Sequence, residues 1–466
     1  HLVGRSFKYH RPRGFFGAGV DEPYAIVQMN RNNEVDPNVR ATEQELFEGL
    51  EAKSVNCWPN VNFDIGAINN FLNIFFPAGF YYKTFMWPKS FWYKIYEPII
   101  RKAAGFGAAS IKHDKERYEH KYEYCDLLIA GTGPSGLASA YAAAQNGARV
   151  ILAEDKSRFG GSLLVNEVTI GNQSGQEWAE KIISELKSMP NVIIKNRSQV
   201  FGYYDHNMLV MSERVSDHLP KTDKYTPKQR LWYIRAKEVI ISSGSIERPL
   251  VFGNNDTPGV MLSSAAKEYL KVYGVLVGKK PIIFTNNDSG YETAIEFKKN
   301  GIDPLILDSR KNPDSEIIKE AKDLEISIKF SYVVVAANGY KKVNSANIAK
   351  ISDDKKIISN IESIKCDCIC VSGFWTPTIH LASQSGNKTK FNEEIDAFVP
   401  SKSKQKETTL GSANGVFTLE ETLKTSFEKG SELSKQITNK ENKVSIPTVV
   451  EKKSSKHDKF WCVPLP

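Results

Sequence analysis

Residues Asp126 to Glu154 read DLLIAGTGPSGLASAYAAAQNGARVILAE. The apolar run Leu127 to Ala130 predicts a strand, Gly131-x-Gly133-x-x-Gly136 a tight turn, and the small residues after it a helix that Asn146-Gly147 stops. Arg149 to Ala153 then predicts a second strand that ends on Glu154. Gly131 permits the turn, Gly133 lets backbone approach a pyrophosphate, and Gly136, with Ala138, Ala140 and Ala142, lets helix and sheet pack closely. Thr132, Pro134 and Ser135 lie between these glycines, at a helix N-terminus whose unpaired N–H groups favour an anion. Glu154 stands where a carboxylate accepts ribose hydroxyls, with Asp155 beside it, which favours NAD or FAD over NADP. The glycine pattern alone also fits an ordinary glycine-rich turn. Strand, helix, second strand and terminal acid in register argue for a dinucleotide site.

Outward from this unit, Gly160-Gly161-Ser162 adds Gly161 and Ser162 as candidate contacts. A helix near Glu177 to Ser188 follows, with strands around 192–195, 201–204 and 208–212 that read as a β-meander lying over the sheet. The strand Val239 to Ser242 ends on Ser243-Gly244, making Gly244 either a ligand contact or a plain strand-to-loop glycine. PIIFTNNDSGYETAIEFKKNG opens a second unit on the same plan: Gly290 to Asp308 is eighteen residues, as is Gly136 to Glu154. Here Thr285 and Asn287 replace the two turn glycines and would obstruct a pyrophosphate, so this lobe is expected to have lost tight dinucleotide binding. Ile364 to Gly373 reads as a strand returning to the first lobe, with Gly373 at the ligand. Gly411-Ser412-Ala413-Asn414-Gly415 precedes a helix from Leu419 to about Gln436, where Gly415 is either a phosphate or ribityl contact or part of a simple cap.

The chain has 466 residues and a formal charge of +8, from 62 basic and 54 acidic side chains. That length implies two or three domains. Dispersed lysines describe a solvated surface and argue against nucleic acid. The six cysteines form no C-x-x-C and no disulfide framework, as suits a reducing cytoplasm. Cys366, Cys368 and Cys370 alternate as packing residues on one strand face, and no metal is expected. Arg5, Lys8, Arg11 and Arg13 among aromatics make either a phosphate loop or a buried arginine cluster joining domains. Asn69 to Ile100 is dense in Phe, Tyr and Trp, for an interface or for core; Pro77, Lys83, Pro88, Lys89 and Lys94 break it too often to span a membrane. The chain opens at His1 and closes at Pro464-Leu465-Pro466, as a fragment of a longer polypeptide would.

Two Rossmann lobes, the second inserted in the first, give an α/β chain of the flavin-dependent disulfide reductase type. The expected partition is 1–115 for an N-terminal segment with its aromatic connection, 120–259 with 364–437 for the dinucleotide lobe, 260–363 for the degenerate lobe, and 438–466 for a linker. The stretches VGRSFKYHRPRG, GTGPSGLASAYAAAQNGARVILAED with GGSLL, SGSIERPLVFGNNDTPGVML, FTNNDSGYETA, VSGFWTP with HLASQSG, and GSANG resemble the alpha subunits of heterotetrameric sarcosine oxidases. That resemblance implies NAD in the two-lobe module and an FMN shared with the beta subunit. It also implies FAD and the amine site in beta, gamma and delta partners, and tetrahydrofolate in a further C-terminal domain. The N-terminal segment resembles part of a ferredoxin-like domain, but Cys57 is the sole cysteine before Cys125, so no iron–sulfur cluster is expected. Catalytic residues for sarcosine oxidation are not expected in this chain. Alpha subunits of opine- or proline-type amine dehydrogenases share the two-lobe plan, and an independent NAD- or FAD-dependent oxidoreductase is the alternative from another class.

Overall fold

The computed structural model describes residues 2–7, 9–31, 34–75, 79, 85–104, 111, 113–442 and 444–464. Lys8, part of the Asn69 to Ile100 stretch, and the ends His1 and Leu465-Pro466 lie outside them.

The N-terminal segment is a hairpin, Leu2–Arg5 against Pro12–Gly14, beside an antiparallel sheet in which Ile26–Arg31 lies between Glu34–Arg40 and Glu51–Ser54. Its arginines are spent internally. Arg5 donates to the Val61 carbonyl at 2.8 Å, while Arg11 and Arg13 both pair with Asp256, at 3.0 and 2.5 Å. Arg11 and Arg13 therefore tie this segment to the body of the protein, which favours the joining cluster over the phosphate loop.

In the first lobe, Tyr118–Ala130 runs parallel to Val150–Ala153 on one side and Gln229–Ile241 on the other. Val192–Lys195 extends the sheet beyond Val150–Ala153. The meander differs from expectation. Gln229–Ile241 is thirteen residues long and pairs at once with Tyr118–Ala130 and with Met208–Arg214, so the meander continues the sheet sideways instead of lying over it. The helix Pro134–Gln145 is buried along nine residues, from Ser135 to Ala144, because its small side chains admit the sheet on one face and the helix Leu419–Thr438 on the other. Gly430 makes that helix contact possible, since a Cβ there would fall 2.4 Å from the Ser139 carbonyl oxygen.

The second lobe is inserted between Ile241 and Glu407–Thr409, which returns to pair with Gln229–Ile241. Its parallel sheet runs Val260–Leu262, Cys368–Ser372, Pro281–Thr285, Leu305–Asp308, Ser327–Phe330, beside a three-stranded antiparallel sheet. The expected boundary at residue 364 is corrected here. Glu362–Lys365 pairs within the antiparallel sheet and Cys368–Ser372 lies between two strands of the parallel one, because this fully buried strand has its hydrogen-bond partners on both edges there. Cys368 and Cys370 pack with their sulfurs 3.7 Å apart, both fully buried.

The presumed linker is also corrected. Val449–Val450 pairs with Thr169–Ile170 of the first lobe, and Phe460 and Val463 are buried in the core of the second. A few well-spaced apolar residues suffice to dock a segment that is polar on average. Among the described residues no helix is long and apolar enough to cross a membrane. The aromatic stretch does not form core where it is described. Phe71, Ile74, Phe75, Trp87 and Tyr93 are each 74% to 83% exposed.

Candidate nucleotide site

A cavity of about 1050 Å³ opens where the parallel strands of the first lobe end, and the second lobe and residues 451–457 complete its wall. Gly131, Thr132, Gly133, Pro134 and Ser135 form its floor. Gly131 has φ +106°, and a Cβ there would meet the Ser242 carbonyl oxygen at 2.3 Å. Gly133 differs: nothing lies within 4 Å of where its Cβ would be. It begins the helix Pro134–Gln145 without any side-chain cap, leaving helix N–H groups for a ligand at an open cradle. Gly136 lies beneath the floor and serves packing, its Cβ position being 1.9 Å from the Gly131 carbonyl oxygen.

Thr132 and Ser135 act on the protein rather than at the cradle. Ser135 shares a 2.8 Å hydrogen bond with the Ser426 hydroxyl. Thr132 donates its backbone N–H to Glu154 at 3.1 Å, and its hydroxyl to the same oxygen. The other carboxylate oxygen of Glu154 accepts the Lys156 N–H at 3.1 Å. Three of roughly four lone-pair positions on the carboxyl group are thus used by neighbouring N–H and O–H groups. Burial, and then the neighbouring Asp155 carboxylate, push the Glu154 pKa up. Asp155, Gly161, Ser162 and Gly244 all line the cavity, and Gly161 abuts Gly133 so closely that a Cβ would come within 2.9 Å of its Cα.

Gly373 and Gly415 are not on this wall. A Cβ on Gly373 would strike the Arg248 carbonyl oxygen at 2.8 Å, and one on Gly415 would meet Ile395 and Val399, so both glycines relieve packing. From the GSANG stretch, Gly411 and Ser412 reach the cavity instead. The sequence reading missed Lys156, whose ammonium crosses to Glu268 of the second lobe at 2.5 Å, and buried Lys267, which holds Asn166 of the first lobe at 2.8 Å. Nothing in local spacing marks such contacts between distant segments.

The second unit lacks an open cradle, though not for the expected reason. Thr285 turns inward, donating to the Asn287 carbonyl at 2.8 Å, and Asn287 turns to the Ser372 carbonyl at 3.0 Å. Asp308 is fully buried and taken by the Tyr291 hydroxyl at 2.7 Å and Arg310 Nη2 at 2.8 Å. The mouth itself is filled by the chain. Ser455 donates both N–H and hydroxyl to Asp288 at 2.7 Å, Arg310 donates to the Ser455 hydroxyl at 2.7 Å, and Asn286 donates to the Asp458 carbonyl at 2.9 Å.

Residues 125–403 match the pattern of the pyridine nucleotide-disulphide oxidoreductase family. The chain belongs to that family. Membership of this family implies a flavin or nucleotide site, although this member has no C-x-x-C pair for disulfide exchange. Residues 1–57 match a 2Fe-2S iron-sulfur cluster binding domain, yet contribute Cys57 alone against the four thiolates such a cluster takes. As the motifs imply, this family member is similar to sarcosine oxidase alpha subunits. It is 45% identical over 399 residues to that of Rhizobium meliloti (strain 1021), covering 85% of this chain and 39% of the relative. It is 29% identical over 432 residues to that of Corynebacterium sp. (strain P-1), covering 92% and 40%. The chain thus spans about two fifths of the length of these curated relatives. L-proline dehydrogenase from P. horikoshii shares the fold, with a TM-score of 0.58 at 17% identity over 94% of this chain and 67% of that one.

Proposed function

We propose that this chain is the NAD-binding part of an alpha subunit in a sarcosine oxidase complex. The carrying observation is the cradle: an uncapped helix N-terminus behind Gly133, open space above it, and the Glu154 carboxyl at the end of the next strand beside it. A pyrophosphate fits the helix end and a ribose hydroxyl fits Glu154. Bound NAD would supply a ring able to accept hydride. The chain's own part is to bind and orient it: Gly131 shapes the turn, Thr132 and the Lys156 N–H fix the Glu154 carboxyl, and the second lobe forms the far wall.

Amine oxidation is assigned to FAD in a beta subunit, with an FMN shared between alpha and beta, and with gamma and delta completing the assembly. Two observations support a subunit over an independent oxidoreductase. The relatives are named as alpha subunits, and large apolar side chains such as Phe71, Trp87 and Tyr93 stand exposed, as surfaces that a partner covers do. A folate-binding domain would occupy the further length of the relatives. The complex would convert sarcosine to glycine, with hydrogen peroxide and either formaldehyde or methylenetetrahydrofolate. A reducing compartment such as the cytoplasm goes with this reading, supported by six free cysteines.

The test is extraction of the purified protein and chromatography of what is released, followed by calorimetric titration with NAD. One equivalent of NAD per chain is expected. Release of FAD, or failure to bind NAD, refutes the assignment.

A further inference from the structure

The chain passes between the lobes twice at a short antiparallel pair, Ser245–Glu247 against Trp375–Pro377. Such a pair is a natural hinge, since rotation about it disturbs few contacts. A third connection, residues 451–458, ties the lobes together elsewhere. At its first-lobe end the Glu451 carboxylate accepts the N–H groups of Leu419 and Glu420, at 2.8 and 3.1 Å. It thereby caps the helix Leu419–Thr438, whose own N-cap residue makes no side-chain bond. At its second-lobe end Ser455 is held twice by Asp288, and Asp288 is in turn fixed by Arg310 at 2.9 Å. Both of those residues are buried. Between the anchors Lys452, Lys453 and Ser454 are exposed, with the Lys452 ammonium paired to Glu320, and they line the cavity together with both anchors; beyond Ser455 the same end is also held by Arg310 on the Lys456 carbonyl, Asp396 on His457 and Asn286 on the Asp458 carbonyl.

We propose that residues 451–458 are a latch across the cleft between the lobes: pinned at both ends it holds one opening and covers the cavity, and a nucleotide enters or leaves when a pin releases. The proposal rests on the nucleotide reading of the cavity. Polar pins with an exposed, core-free middle belong to the least stable part of a fold, which is where gating motions are drawn from.

The test uses the full chain and two variants, one for each pin. Glu451→Ala removes the helix cap, and Ser455→Pro removes both donors to Asp288. Association and dissociation of NADH are followed by its fluorescence in stopped flow. A latch predicts that either variant raises both rate constants about tenfold, because the open state becomes more populated in the free and the bound protein alike. Dissociation accelerated alone would make the segment a plain wall, and an effect in only one variant would mean the pins do not act together; either result overturns the latch. A second readout is independent of ligand. Trypsin cleavage after Lys453 and Lys456 should be faster in both variants than in the wild type, and slowed by NADH in the wild type. Equal cleavage in all three proteins refutes the latch. Absence of NADH binding to the wild type refutes instead the nucleotide reading, with the cleavage rates still deciding whether the pins hold the segment.

Discussion

Gly131 and Gly133 stand two positions apart and carry different demands. Gly131 sits at positive φ against the Ser242 carbonyl, so Gly131→Ala is expected to cost about 1–3 kcal/mol of stability or more. Gly133 has ordinary backbone and open space, so Gly133→Ala should change stability by less than about 1 kcal/mol while weakening nucleotide binding. Thermal melts beside calorimetric titrations check both; a Gly133→Ala protein that melts normally and still binds NAD tightly would contradict the cradle. Glu154 gives a pH signature. Its pKa is raised above 4.5 in the fold, so the stability it contributes is full below that pH and is lost as pH rises. The wild-type melting midpoint should therefore fall more steeply than that of Glu154→Gln between about pH 5 and pH 8. Parallel slopes would show that the carboxyl is not destabilised by its burial.

At the scale of elements, the cradle depends on the contact between Pro134–Gln145 and Leu419–Thr438. Gly430 sets how closely these helices approach, and Ser135 to Ser426 is the hydrogen bond between them. Gly430→Ala should push the helices apart at a cost of about 1–3 kcal/mol, the usual range for overpacking. Because the displaced helix carries the cradle, nucleotide affinity should fall with the melting temperature. Loss of stability with unchanged affinity would mean that the cradle is held by the sheet alone.

For the whole molecule, the exposed aromatic surface makes a separate prediction. Trp58, Phe71, Trp87 and Tyr93 lie outside the core clusters, so the isolated chain should self-associate as concentration rises. Replacing Phe71 and Trp87 by Ser should suppress that association, as read by light scattering, with no effect on NAD binding, because neither residue lines the cavity. If binding of a beta-type subunit survives the double substitution unchanged, this surface is not its docking site.

The first Rossmann unit was legible because everything that makes it is local: glycines at fixed offsets, a run of small helix residues, and an acid at the end of the next strand. The repeat at Gly290 to Asp308 was legible for the same reason, since spacing survives when function does not. What lay beyond reading were contacts between distant segments. Gly373 and Gly415 looked like ligand glycines, yet their neighbours are Arg248, Ile395 and Val399, which no local pattern supplies. Thr285 and Asn287 were visible as departures from the glycine pattern, but the chain filling that mouth comes from Ser455 to Asp458, with Ser455 lying 167 residues beyond the Asp288 it contacts. The sequence by itself determined the elements, the turn and its anion-favouring helix end, because short-range sterics and hydrogen bonding dictate them. Only the tertiary structure decided which glycines face the cavity, where Cys368–Ser372 pairs, and that a polar tail bridges two lobes, because those outcomes depend on which distant donors and apolar faces are brought together.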